Sequence, residues 1–121
     1  MKMCLIIDNG AEIKSTAAPY LADRDYAVEQ VKNCDQALAK CRDEMPDVIL
    51  LASDTPKMSG LEFLSRLRRT QRGQKPVVLY CADEHDPDRI GQAIWRGASE
   101  CLIKPFDADL LAFKLSQSGA L

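Results

Sequence analysis

Histidine, paired cysteine motifs, long apolar runs and net charge are all scarce in this chain, and each scarcity closes off a class of function. One histidine, His85, occurs among 121 residues. The five cysteines (Cys4, Cys34, Cys41, Cys81 and Cys101) include no CxxC pair. Cys34 and Cys41 share a helical face, but no histidine accompanies them, so the chain carries no zinc-binding pattern. An odd, scattered set of thiols with no leader ahead of it points to reduced cysteines in the cytosol. No apolar run approaches the roughly 20 residues of a membrane span. The start, MKMCLIIDNG, has an aspartate where a secretory signal needs a small-residue cleavage site, so it reads as a strand. Net charge is −2, too near neutral to trap a polyanionic nucleic acid or to form an acidic tail.

What is present suits one globular domain over residues 1–121, without repeats, linkers or low-complexity tracts. MCLII (3–7), VILLA (48–52) and PVVLYCA (76–82) are short unbroken apolar runs, and ECLI (100–103) is a shorter fourth. Runs of this kind read as parallel strands buried on both faces. YAVEQV (26–31) alternates weakly, as an edge strand does. Helical patterns fill the gaps. Residues 11–23 place Ile13, Ala17, Tyr20 and Leu21 on one side, with Pro19 expected to bend the helix. Asn33 caps a helix with an apolar stripe of Ala37, Leu38 and Cys41. Ser59 and Glu62 make a capping-box pattern before a third helix, with Leu61, Leu64 and Leu67 inward and Arg66, Arg68, Arg69 and Arg72 toward water. Asp86 or Asp88 opens a fourth helix carrying Ile90, Ala93 and Ile94 and closed by Gly97. Asp107 begins a fifth, with Leu110, Leu111 and Leu115 inside. Strict alternation of buried strands and helices implies an α/β fold, a parallel sheet covered on both sides. Ligands of such sheets sit at the carboxyl ends of the strands. Those ends are Asp8-Asn9, Ala52-Ser53, Cys81-Ala82 and Lys104-Pro105.

Five segments in register carry a resemblance over essentially the whole chain: LIIDN at 5–9, PDVILL at 46–51, PKMSG at 56–60, GA at 97–98 and IKPF at 103–106. Together they resemble the CheY-like receiver domain of bacterial two-component response regulators. The resemblance implies a five-stranded parallel sheet of order 2-1-3-4-5 flanked by five helices. It also implies phosphoryl transfer from a kinase phosphohistidine to an aspartate ending the third strand. In that family a Mg²⁺ ion held by two acidic residues of the first loop neutralises charge, and a lysine contacts the phosphoryl oxygens. A hydroxyl after the fourth strand and an aromatic residue on the fifth then rearrange.

Carried over residue by residue, the resemblance exposes four departures. The nucleophile position is Ala52, whose methyl group can neither attack phosphorus nor hold a metal. The acidic pair is Asp8 and Asn9, so one carboxylate has become an amide. The hydroxyl position is Cys81 and the aromatic position is Cys101. Only the lysine position, Lys104 followed by Pro105, is kept in full. The chain is therefore expected to be a degenerate phosphorylation site built on a receiver frame, with Lys104 paired to Asp8.

Other features carry two readings each. Asp54 is a displaced phosphoacceptor or a loop aspartate that helps set the turn before Pro56. Cys81 and Cys101, on neighbouring strands, are apolar filler or a redox pair. Arg66, Arg68, Arg69, Arg72 and Lys75 are a solvated helix face or a basic surface for an acidic ligand or nucleotide. Trp95 beside Arg96 is an interface hot spot, or Trp95 packs against the fifth strand over the small Cys101. His85 is a solvated loop residue or a titrating group.

The expectation that follows is an atypical single-domain response regulator, a pseudo-receiver acting by phosphorylation-independent protein binding. It is expected to be no enzyme, to need no cofactor or metal, and to work in the cytoplasm, bound to neither nucleic acid nor membrane. The contact surface is the fourth helix, fifth strand and fifth helix, with Trp95, Arg96, Cys101, Lys104 and Phe106. The partner is a histidine kinase, an adaptor or another signalling protein. Because the chain closes in SQSGAL after the last helix, output is expected to pass through that partner. A small acidic ligand sensor, or residual phosphotransfer to Asp54, are the alternatives.

Overall fold

The computed structural model describes residues 1–83 and 86–121. Five strands, β1 (Lys2–Ile7), β2 (Tyr26–Val31), β3 (Val48–Ala52), β4 (Val77–Asp83) and β5 (Glu100–Lys104), alternate with five helices. The helices are α1 (Glu12–Ala22), α2 (Cys34–Asp43), α3 (Gly60–Arg69), α4 (Pro87–Trp95) and α5 (Ala108–Gln117). All strand pairs are parallel and the sheet order is β2-β1-β3-β4-β5, as the resemblance implies. VILLA at β3 is buried at every position because the sheet is covered on both faces. Each such Leu or Ile contributes about 1.5–3 kcal/mol by leaving water.

Alternate residues feed two cores. On one face Leu5, Leu51 and Tyr80 meet Ala37 and Cys41 of α2, Phe63 and Leu67 of α3, and Ala93 of α4. On the other, Ile6, Leu50, Ala52 and Cys81 meet Ile13, Ala17 and Leu21 of α1 and Leu111 and Leu115 of α5. The Tyr26 hydroxyl donates to the Ala120 carbonyl at 3.1 Å, tying the end of the chain to the edge strand.

The expected caps form. Asn33, Ser59, Asp86 and Asp107 each accept a backbone N–H in the first turn of their helices. The Ser59–Glu62 box is one-sided, because the Glu62 carboxylate turns to Arg66 at 2.6 Å. Helix α1 runs through Pro19 to Ala22. Three inward assignments shift. Phe63, not Leu61, is fully buried on α3, while Leu61 packs at the edge. Ile94 and Leu110 are exposed, since each lies about 100° around its helix from a neighbour that takes the core position.

Arg68 departs furthest from expectation. Instead of facing water it is partly buried, and its guanidinium donates to three backbone carbonyls: Gly97 at 3.0 Å, Gly73 at 2.8 Å and Pro76 at 2.9 Å. Burial pulls its pKa down from the usual arginine range. Gly97 closes α4 with φ of +117°, and a Cβ there would lie 2.8 Å from Arg68 Cγ. The α4 stop and the Arg68 clamp therefore need each other.

Candidate functional site

The carboxyl ends of β1, β3, β4 and β5 converge as expected. Asp8 follows β1 and is nearly buried; one of its carboxylate oxygens accepts the Gly10 N–H at 3.2 Å. Gln30, at the end of β2, braces this loop by donating to the carbonyls of Asp8 at 2.8 Å and Gly10 at 2.6 Å. Ala52 pairs with Cys81 across β3 and β4, and both are fully buried. Immediately after, the Ser53 N–H donates to the Cys81 carbonyl at 2.9 Å, extending the pairing past the strand end. The loop beyond is shaped by Thr55, whose hydroxyl donates to the Met58 carbonyl at 3.0 Å, and by Lys57 at φ of +66°.

Lys104 does not pair with Asp8. Its ammonium approaches Asp54 at 4.0 Å; the lysine side chain is 10% exposed and that of Asp54 is 74% exposed. The lysine stays nearly enclosed at the strand ends, and the carboxylate that comes within 4.0 Å of it is the exposed loop residue Asp54. Asp54 is thus neither a turn-setting group, since Thr55 has that role, nor a side chain enclosed in the pocket. A loose pair this exposed is worth about 0–1 kcal/mol.

The chemistry of these ends is meagre. Burial pushes the Cys81 thiol far up, with Lys104 opposing the rise and Asp8 adding to it. The neutral thiol is neither a nucleophile nor a good hydrogen-bond donor; its one hydrogen-bond contact among the described residues is with the Leu79 carbonyl at 3.7 Å. Asp8 is the sole carboxylate on the ends of β1 and β3, and Asn9 beside it is exposed. A divalent magnesium site built on one carboxylate and one amide does not fit the ion's preference for charged oxygens. Among the described residues no three His, Cys, Asp or Glu side chains are grouped to hold a metal.

The redox pairing of Cys81 with Cys101 is ruled out by register. Cys101 sits opposite Tyr80 and Cys81 opposite Leu102, so the two thiols project from opposite faces of the sheet. Burial also raises the pKa of Cys101. Tyr80, absent from the sequence-based site, is the aromatic residue that matters here. It fills the face next to Cys101, and its buried hydroxyl lacks a hydrogen-bond partner among the described residues. Gly60 makes room for it: a Cβ at that position would lie 3.3 Å from the Tyr80 ring. The sequence signal was a large ring in a run otherwise free of aromatics.

On the surface of α4, β5 and α5, Trp95 is 90% exposed, so it does not pack on β5. Ile94, Leu110 and Phe113 are exposed as well. Cys101 and Phe106 are only partly buried, against opposite cores. Arg96 turns away toward α3, donating to the Ser65 hydroxyl at 3.1 Å. Lys114 of α5 and Glu100 of β5 pair at 3.0 Å. His85 lies outside the described residues. No helix among them is long and apolar enough to cross a membrane.

Known proteins share this architecture. The chemotaxis response regulator CheY4 of Vibrio cholerae superposes with a TM-score of 0.88 at 28% identity, covering 98% of both chains. The chemotaxis protein CheY of Listeria monocytogenes is 28% identical over 120 residues, 98% of this chain and 99% of that one. The phosphate regulon transcriptional regulatory protein PhoB of Pseudomonas aeruginosa is 32% identical over 115 residues. The chain spans half the length of PhoB and 41% of the regulator ResD of Bacillus subtilis. The profile of the response regulator receiver domain matches residues 4–116. The chain belongs to the response regulator receiver domain family of two-component signalling.

Proposed function

We propose that this receiver domain signals without aspartyl phosphorylation, as a pseudo-receiver that binds a protein partner through α4, β5 and α5. The observation that carries the reading is Ala52: a fully buried methyl group stands at the end of β3, where the family reaction needs a carboxylate. Asn9, Cys81 and Cys101 weaken the metal, the hydroxyl and the aromatic positions in the same direction. Trp95 and Ile94 on α4 and Phe113 on α5 are all exposed, and they offer the aromatic and aliphatic area from which interface hot spots are built. Arg96 is engaged by Ser65 and contributes less. The domain acts as a binding module in the cytoplasm, not as an enzyme, and its partner is a histidine kinase, an adaptor or another signalling protein. A region of the sensor kinase/phosphatase CqsS of Vibrio cholerae is 25% identical to this chain over 114 residues, so domains of this kind also occur within signalling kinases.

The test is an amide NMR spectrum recorded with beryllofluoride and Mg²⁺, then with acetyl phosphate and Mg²⁺. Unchanged spectra are expected. Shifts in the loop after β3 that vanish in Asp54→Asn would show phosphotransfer at Asp54 and defeat the proposal. For the surface, Trp95→Ala should leave stability within about 0.5 kcal/mol of wild type. Binding to a purified partner should fall at least about tenfold; equal binding would place the interface elsewhere.

A further inference from the structure

The basic residues read from the sequence as one helix face are redistributed in the structure. Arg68 is held by backbone carbonyls, and Arg66 is joined instead by Arg42 of α2 and Arg72 beyond α3. These three arginines border a cavity of about 360 Å³ between the carboxyl ends of α2 and α3. Its floor is Leu38, Cys41, Met45 and Leu67. Leu67 and Cys41 belong to the core, while Leu38 and Met45 are only partly covered. Burial pushes the Cys41 thiol up to about 11, so the floor carries no charge at neutral pH.

We propose that this cavity binds an organic phosphate of mononucleotide size, its ring on the Leu38, Met45 and Leu67 floor and its phosphate held by Arg42, Arg66 and Arg72. The volume falls in the range of small-molecule sites and exceeds what an inorganic ion fills. Guanidinium groups both stack on flat rings and grip phosphate with two parallel hydrogen bonds. The cavity's lining favours an anion, with three arginines and no carboxylate, while Asp43 and Glu44 follow Arg42 in the chain. The two helix ends bring roughly half a negative charge each, and Glu62 pairs with Arg66. Neither Arg42 nor Arg72 has a carboxylate within 4.0 Å among the described residues, and both are exposed and able to turn inward. Helices of a parallel sheet end at the amino ends of the strands, so this cavity lies at the opposite edge from Asp8, Ala52 and Lys104. It stands or falls independently of the pseudo-receiver reading.

The experiment is NMR titration of the isotope-labelled chain with adenosine 5′-monophosphate, adenosine and inorganic phosphate in parallel. The monophosphate should shift the amides of Leu38, Cys41, Met45, Leu67 and Thr70 saturably. Adenosine and phosphate should each bind at least about tenfold more weakly. The double variant Arg42→Gln, Arg72→Gln should lose at least about tenfold in affinity while its thermal unfolding midpoint stays at the wild-type value. The proposal is overturned if millimolar nucleotide gives no saturable shift, if phosphate alone matches the nucleotide (an adventitious ion only), if adenosine matches it, or if the double variant binds like wild type.

Discussion

Replacing Arg68 with methionine should destabilise the fold more than any other change on the exposed half of α3. Methionine keeps much of the aliphatic packing but abandons the carbonyls of Gly97, Gly73 and Pro76. Hydrogen bonds to a charged donor contribute about 1.5–3 kcal/mol each. The side chain is only partly buried, and water can reach some of the freed carbonyls, so the combined loss should be about 3 kcal/mol. For a chain of this size each kcal/mol moves the midpoint by about 4 °C, giving a fall of about 12 °C by calorimetry. Arg68→Lys keeps the charge but presents a point donor instead of a fork, and should recover less than half of that. The damage should also be directional. Gly97 ends α4, so amide exchange should quicken at Trp95, Arg96 and Gly97 before it does in β1 or β3. A midpoint within about 3 °C of wild type for Arg68→Met would show that the three bonds are replaced by water at no cost, and the clamp would be no clamp.

Three further outcomes follow from the same structure. Ala52→Asp inserts a carboxylate into a fully buried position beside Asp8 and should cost about 1–3 kcal/mol at pH 7; Mg²⁺ should restore stability only when Asn9→Asp is added, and rescue of the single variant would refute the account of the metal site. Tyr80→Phe removes a buried hydroxyl that has no partner, so urea unfolding should show equal stability or a gain of up to about 1 kcal/mol; a loss beyond that would mean the hydroxyl is satisfied. Burial raises the thiols of Cys4 to about 12 and Cys41 to about 11, and raises Cys81 further. A raised folded pKa gives stability that is present below the unfolded thiol value and lost as pH rises above it. Unfolding free energy should therefore drop by about 4 kcal/mol per pH unit above about pH 8.5, in reductant. A flat profile to pH 10 would contradict the burial of these three groups.

Much of the architecture was legible because strands and caps announce themselves locally. VILLA is continuous because both faces of β3 are covered, and Asn33, Ser59 and Asp107 are cap residues with short acceptors at the right spacing. What escaped the sequence is set by tertiary geometry. Cys81 and Cys101 look like neighbours when strands are listed in order, but their faces depend on the β4–β5 register, which no composition reveals. Arg68 reads as solvated by helical period, and its carbonyl partners lie 5, 8 and 29 residues away in loops and at a helix end. Lys104 reads as a partner for Asp8 because both flank position 52; the approach of Asp54 instead depends on where the loop after β3 carries that exposed carboxylate.

A receiver that switches needs an element with two packings of similar free energy, and the contents of this sheet argue against one. In the family the resemblance identifies, that element is an aromatic residue on the fifth strand, coupled to a hydroxyl on the fourth. Here the fifth-strand position is the small Cys101, and the ring has moved one strand inward, to Tyr80, in register with it. Tyr80 is enclosed by the core, and Gly60 contributes the space its ring needs. Moving the ring out would open a cavity costing about 3–5 kcal/mol. The hydroxyl end it could gain in water is worth about 1–3 kcal/mol. Enclosure wins on those magnitudes, so the α4 side of the sheet holds a single arrangement. Under the proposed pseudo-receiver reading, constant presentation of Trp95 is the physical content of signalling without phosphorylation: the amount of domain or partner, not its covalent state, would set how much complex forms.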